Sequence, residues 1–306
     1  MTDSKDSTKG SLDVQEGDIL NPAGFENLLN FRDVGKTIND FVGEKLMKEG
    51  LLFRSARPDE ATLHDRSRIQ KEFMINTIID LRTNTEHANQ KKKREGQLQL
   101  PQELQSNAAL LGPFEIPGVN YKLININGKS FERCLIKRLS WWSLIKMAFL
   151  MLFRQRMAAI SIMGREVMQP RGLIGLGKDT LDACGSEIAE TLRTISTSQP
   201  VLIHCTQGKD RTGMIIFLVL LLLKVPIKAI THDYLMSEGE LEVEMEERIK
   251  EIRSIGLDEE FAGCPDAWVE EMHRYLGERY GGVEEYLKGI GFEEGVEVRL
   301  IDGLRV

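Results

Sequence analysis

Hydrophobic positions along the chain come in two alternating patterns, short β-branched runs and stripes at helical spacing. LLFRSA, from Leu51, has the look of a short strand. Pro58–Asp59 opens a stretch of helix-like composition that reaches Phe73. Ile75, Thr77, Ile78 and Ile79 then form a β-branched run ending at Asp80, the pattern of a parallel strand buried on both faces. Val119 to Ile126 is a further strand candidate. Residues 179 to 198 place Leu181, Ile188, Leu192 and Ile195 on one helical face. Pro200 ends that helix, and Val201-Leu202-Ile203 gives another short strand. A tight loop follows, then a very apolar helix from about Arg211 to Lys224, stopped near Pro226. The last third reads as helical and acidic. Strand, loop and buried helix in this order predict an α/β fold, a central and mainly parallel sheet flanked by helices, with the functional loop at a strand's carboxyl end. The Lys-rich HANQKKKREG, residues 87–96, reads as a solvated loop or helix end. No internal repeat is present.

Charge changes this picture in one place. The chain carries a net charge of −7, which argues against a general nucleic-acid binder. Between Lys129 and Arg171, however, nine basic residues face only Glu132 and Glu166, a net +7 that leaves the rest of the chain at −14. Within that segment Trp141 to Phe153 is a thirteen-residue apolar run interrupted by Lys146, and Met214 to Leu223 is a second run of ten. Both fall short of the ~20 residues a spanning helix needs. The basic segment admits three readings: a helical insertion packed on the domain, a lid over the functional loop, or an amphipathic surface that touches anionic lipid. The four cysteines, Cys134, Cys184, Cys205 and Cys264, form no CxxC pair and no zinc-ligand spacing. With a polar, unsignal-like start, reduced thiols and a cytoplasmic location are expected. Residues 1–20 read as a flexible tail and 21–306 as one domain.

The informative stretch is VLIHCTQGKDRTG, Val201 to Gly213. Cys205 follows a strand, and Arg211 comes six positions later at the start of a helix. The amides of residues 206 to 211 can curl around a tetrahedral dianion, and a helix N-terminus adds positive potential there. The same potential favours the thiolate form of a cysteine. Arg211 offers a planar fork for two phosphate oxygens. Gly208 and Gly213 leave room where the backbone turns or packs closely. No metal or other cofactor is called for.

HC(x)5RTG resembles the signature of the protein tyrosine phosphatase superfamily, and HCxxGKDRTG resembles its bacterial and fungal group of tyrosine and phosphoinositide phosphatases. NLLNFRDVG (27–35), FRSARPDEAT (53–62), IIDLRTNTE (78–86), HDYLMSE (232–238) and YGGVEEYLKGIG (280–291) are similar to that group's other motifs, so the likeness runs over about residues 25 to 292. It implies a cysteine-phosphatase fold with a helical insertion or lid at about 129–172. It also implies Cys205 as nucleophile, Arg211 as phosphate ligand and Thr212 as support for the thiolate. His204 would order the loop, while Thr206, Gln207, Gly208, Lys209 and Gly213 would complete the substrate cradle. The general acid is open between Asp210, inside the loop, and Asp80, because the Trp-Pro-Asp tripeptide of other tyrosine phosphatases is absent. Lys209 is expected to add a second cation beside the phosphate and so favour polyanionic substrates. Arg32 and Asp33 are expected to make structural contacts, with Arg54 or Arg57 as partners. A phosphorylated protein or a phosphoinositide is the implied partner, with peripheral membrane contact through 137–156. Rival readings are a rhodanese-like sulfurtransferase and a phosphate-binding adaptor without turnover.

Overall fold

The computed structural model of the chain describes residues 24–98 and 115–306; the tail expected at 1–20 lies outside them. In chain order the strands are β1 (Arg32–Asp33), β2 (Leu52–Ser55), β3 (Thr77–Asp80), β4 (Asn120–Leu123) and β5 (Val201–His204). The helices are α1 (Val34–Val42), α2 (Leu63–Ser67), α3 (Asn84–Leu98), α4 (Lys129–Ile136), α5 (Trp141–Leu152), α6 (Arg156–Met163), α7 (Gln169–Ala183), α8 (Gly185–Thr197), α9 (Asp210–Leu222), α10 (Ile227–Glu240), α11 (Met245–Ser254), α12 (Trp268–Tyr280), α13 (Val283–Gly289) and α14 (Glu294–Leu304).

The five strands lie in the order β1-β2-β5-β3-β4, parallel except for the antiparallel edge pair β1 and β2. The three inner strands are buried at every position, and β4 on the edge is largely exposed. Side chains alternate between two unlike cores. On one face Leu52, Ile79, Val201 and Ile203 pack into the large core that surrounds α9, which is buried at every residue from Thr212 to Leu222. On the other, Phe53, Ile78 and Leu202 meet a smaller cluster with Phe25, Leu28 and Phe31. The registers Ser55↔His204 and Asp80↔His204 bring three strand ends level, so the loop after β5 emerges between the ends of its two neighbours.

Three expectations are corrected. The Lys-rich stretch 87–96 is the body of α3: Thr83 and Glu86 cap one another, the Glu86 amide donating to Thr83 Oγ1 and the Thr83 amide to Glu86 Oε2, and Lys, Arg, Glu and Gln are all good helix formers. The helix expected over 179–198 is two helices that meet at Cys184. There Gly185 packs so closely that a Cβ would stand 2.5 Å from Ile290 Cγ2. The strand expected over Val119 to Ile126 is ordered only from Asn120 to Leu123. The 129–172 segment is helical, formed by α4, α5, α6 and the start of α7.

Candidate active site

Strand β5 ends at His204, and α9 begins at Asp210, so residues 205–209 must reverse the chain in one tight loop. Gly208 makes this turn possible. Its φ is +68°, and a Cβ there would lie 2.0 Å from the carbonyl oxygen of Ser55. No other residue fits.

Four successive loop carbonyls are held from outside. With Nδ1 protonated, His204 donates to Cys205 O at 3.0 Å; the Arg57 amide donates to Thr206 O at 3.1 Å. Asn30 Nδ2 donates to Gln207 O at 2.8 Å and Arg54 Nη2 to Gly208 O at 2.6 Å. A trans peptide points its N–H opposite its C=O. Turning these carbonyls outward therefore turns the amides of 206–209 inward, toward the space above Cys205. That inward ring of donors, backed by the α9 N-terminus, is a cradle for a tetrahedral anion.

The cradle is anchored on buried charge. Asp233 on α10 accepts from Arg32 Nε at 2.8 Å and from Arg54, and Arg32 Nη2 also donates to the Asp233 carbonyl at 2.6 Å. Arg54 is fully buried. Burial alone would push the Asp233 carboxyl up, but the two guanidiniums reverse this and hold it below the usual carboxylate range. Arg32 and Arg54 thus meet through Asp233 instead of pairing with Asp33. Asp33 caps α1 by accepting from the Lys36 amide at 3.3 Å, and Arg57 pairs with Glu244 at 2.8 Å.

Arg211 lies against Glu86, with Nη1 to Oε2 at 2.7 Å and Nη2 to Oε1 at 2.6 Å. Thr206 Oγ1 donates to the same carboxylate. Burial would raise the Glu86 carboxyl, yet Arg211, Thr206 and Thr83 together keep it well below its ordinary value. The guanidinium is thus fixed in plane on one side. Glu86 lies within IIDLRTNTE, a motif that by itself assigns it no role. The available signal was a Thr-x-x-Glu capping pair directly after a strand that ends beside the loop.

The two candidates for the acid separate cleanly. Asp80 is 2% exposed and accepts from Arg82 Nε at 3.0 Å and Nη2 at 2.7 Å. Burial pushes its carboxyl up, but His204, 3.5 Å away, and the Arg82 contacts outweigh that and hold it at about 2. It is an anion at any physiological pH. Burial likewise lowers the His204 imidazole below its ordinary value, against the opposing pull of Asp80. Asp210 has a side chain 42% exposed and lines, with Arg211 and Glu86, a cavity of about 390 Å³ whose far wall is apolar, including Phe131, Met168, Leu176 and Ile252.

Lys209 departs from expectation. It is 1% exposed, and its Nζ donates to the carbonyls of Ala262 at 3.0 Å and Gly263 at 2.8 Å. The ammonium pins the 261–263 loop, and its Nζ also stands 3.8 Å from Asp210 Oδ1. Thr212 Oγ1 is buried and makes no hydrogen bond among the described residues. Gly213 lets α9 approach α10, where a Cβ would meet Tyr234 Cδ2 at 3.4 Å. Gln207 is buried and contributes its backbone to the loop. Among the described residues one group could offer three ligands to a metal ion, Glu26, His64 and Asp65. Asp65 there already accepts from the amides of Glu26 and Asn27.

The profile of the Tyrosine phosphatase family matches residues 23–305. The chain belongs to that family. A tyrosine-protein phosphatase from Nostoc commune is 31% identical over 154 residues, covering 44% of this chain and 52% of that protein. The triple specificity protein phosphatase PtpB of Mycobacterium tuberculosis (strain ATCC 25618 / H37Rv) is 27% identical over 122 residues, 35% of this chain and 44% of that protein. The chain spans about half the length of the curated relatives it matches. For a tyrosine phosphatase family member, the outward-held carbonyls and the braced arginine give the signature residues a geometric reason to stand six positions apart.

Proposed function

We propose that the chain is a cysteine-dependent phosphatase that hydrolyses phosphate monoesters through a phosphocysteine intermediate. The observation that carries this reading is the loop itself. Four outward carbonyls turn a ring of amides over Cys205, and Arg211 is fixed beside it by Glu86. A phosphoryl oxygen set would take the amides on one side and the Arg211 fork on the other. The Cys205 thiolate attacks phosphorus, the S–P bond forms as the P–O bond breaks, and Asp210 gives its proton to the leaving oxygen. Water then attacks phosphorus and yields its proton to the Asp210 carboxylate. The S–P bond breaks, and inorganic phosphate leaves with the thiolate restored. The free Thr212 hydroxyl, next to Arg211 in sequence, is suited to stabilise that returning thiolate.

Phosphotyrosine proteins are the favoured substrates, because an aromatic ring fits a cavity with an apolar far wall beside Arg211 and Asp210. The mycobacterial relative's name, triple specificity protein phosphatase, supports a range wider than phosphotyrosine alone. Phosphoinositides join the list through the exposed aromatic and basic face of the 129–172 segment, here read as an insertion, while the Lys209 ammonium is engaged by the carbonyls of Ala262 and Gly263. A sulfurtransferase has no need for an arginine braced by a carboxylate at the loop's end, and an adaptor has no need for the thiol.

The deciding experiment is phosphate release, with EDTA present, from p-nitrophenyl phosphate and from phosphotyrosine, phosphoserine and phosphoinositide substrates. Cys205→Ser is expected to lower turnover by more than about 10³-fold. Asp210→Asn is expected to slow poor leaving groups by about 10²-fold or more and p-nitrophenyl phosphate far less. Thiosulfate turnover without phosphate release would sink the reading.

A further inference from the structure

Helix α5 is apolar on both of its faces. Its inner face is accounted for: Ser143 donates to Glu166 at 2.5 Å, and Leu144 and Met147 pack on the main core. The outer face repeats at helical spacing through Trp142, Ile145, Phe149 and Leu152, as a buried helix would. These four are 66%, 52%, 60% and 78% exposed. Trp141 stacks on Trp142 and Phe153 on Phe149 within the same face. Of the fifteen exposed large hydrophobic residues among the described ones, eight fall between Trp141 and Met157. Such a concentration marks a contact surface.

The charges around it say what kind. From Arg133 to Arg165 there are seven Lys and Arg residues and no Asp or Glu. Lys137, Lys146, Arg154 and Arg156 are exposed on α5, α6 and their flanks. The rest of the chain sums to a net −14, so this region is strongly basic against a net acidic remainder. Two copies meeting through this face would bring like charges together. A protein partner would have to be acidic and deeply apolar at once. An anionic bilayer has both properties in layers, with phosphate at the surface and hydrocarbon beneath. It matches aromatic side chains ringed by long cationic ones, which can reach back to the headgroups.

We propose that the α5–α6 tip is a membrane-docking element that inserts the Trp142–Ile145–Phe149–Leu152 face between anionic lipids. Among the described residues no helix is long and apolar enough to cross a membrane, so the contact is interfacial. Its consequence, access to lipid-borne phosphate, rests on the phosphatase reading above, but docking itself does not.

The test is co-sedimentation of the full chain with phosphatidylcholine vesicles containing phosphatidylserine, and with vesicles of phosphatidylcholine alone. Tryptophan emission is followed in parallel. Trp268 is buried, so a lipid-induced blue shift reports Trp141 and Trp142. Binding to the anionic vesicles, falling as salt is raised, is expected. Arg154→Gln with Arg156→Gln should weaken partitioning about 30-fold, and Trp142→Ser with Phe149→Ser should weaken it at least about 10-fold. Both double variants should hydrolyse soluble p-nitrophenyl phosphate like wild type, which shows that they fold. The proposal is overturned if wild type ignores both vesicle types, or if the Trp142/Phe149 variant still binds. It is also overturned if the face only drives dimers that the same variant abolishes. Vesicle binding by a protein with no turnover would uphold docking and sink the phosphatase reading.

Discussion

The 205–211 loop and the α5 outer face are both places where the chain breaks the usual rules of burial, in opposite senses. Around the loop, charge is buried: Arg54, Asp233, Asp80, Arg82 and Lys209 are all at or below 5% exposure. On α5, tryptophan and phenylalanine are left outside. The buried charges are each paired, and the loop is over-determined, each carbonyl tied to a different residue around it. The exposed aromatics touch chiefly each other. A site that must present a fixed ring of amides to a dianion needs the first arrangement. A surface that must part from water and enter another phase needs the second. The contrast separates residues that position chemistry from residues that position the molecule.

The largest test of the contrast is at Asp233. Asp233→Ala would leave Arg32 and Arg54 buried beside one another without their shared partner, with Glu240 as the remaining nearby carboxylate, although Arg32 is already lowered to about 10 by burial and by Arg54. Removing one partner from a buried ion-pair group costs about 3–5 kcal/mol. Urea unfolding should show a loss of that size, and turnover should fall as the Arg54 tether on Gly208 O loosens. A loss below about 1 kcal/mol would mean that the triad is not what holds the loop.

Much of this was legible in advance, for reasons that differ by residue. Cys205, Gly208 and Arg211 are local: their spacing on one strand–loop–helix unit is visible in thirteen letters. The inner strands were legible because burial on both faces writes continuous β-branched runs. The braces were not. Asn30, Arg54, Glu86 and Asp233 lie in motifs that the sequence displayed, NLLNFRDVG, FRSARPDEAT, IIDLRTNTE and HDYLMSE, but their contacts span up to 201 positions in the chain. Nothing in spacing reports such a pairing. Lys209 shows the reverse error. Its neighbours in sequence pointed to phosphate, while its four-carbon stem was free to turn, and three backbone carbonyls of the 261–263 loop captured it. The Lys-rich α3 was missed because charge was read as solvation when the side chains concerned are also good helix formers.

The next test is smaller and uses pH. The Asp80 carboxyl is held at about 2 in the fold, against an ordinary value of 3.8. A depressed carboxyl stabilises the fold above its unfolded pKa and loses that contribution as pH falls through the folded one. The window therefore runs from about pH 4 down to about pH 2. The difference corresponds to about 2 kcal/mol. Asp80→Asn should be less stable than wild type by roughly that amount near neutrality, and the gap should close as the pH approaches about 2. A gap unchanged across the window would show that Asp80 acts by shape alone.

The smallest expected effect is the most discriminating for the other half of the comparison. Trp142→Ser with Phe149→Ser removes two large aromatic side chains, a change that in the core would cost about 3–5 kcal/mol for each. On α5 these rings are 66% and 60% exposed, and their removal should move the urea midpoint by no more than about 0.5 kcal/mol, the range of ordinary surface substitutions. Serine is about as good a helix former as tryptophan or phenylalanine, so helix propensity adds nothing to that expectation. A loss above about 1 kcal/mol would mean that the rings are packed in solution against something the described residues do not include, and the face would then be an internal seam. A near-null result in water combined with lost vesicle binding would be the signature of residues whose hydrophobic free energy is realised only in lipid. That pairing is what sets α5 apart from Asp233, where the removal of a single side chain is felt by the fold itself.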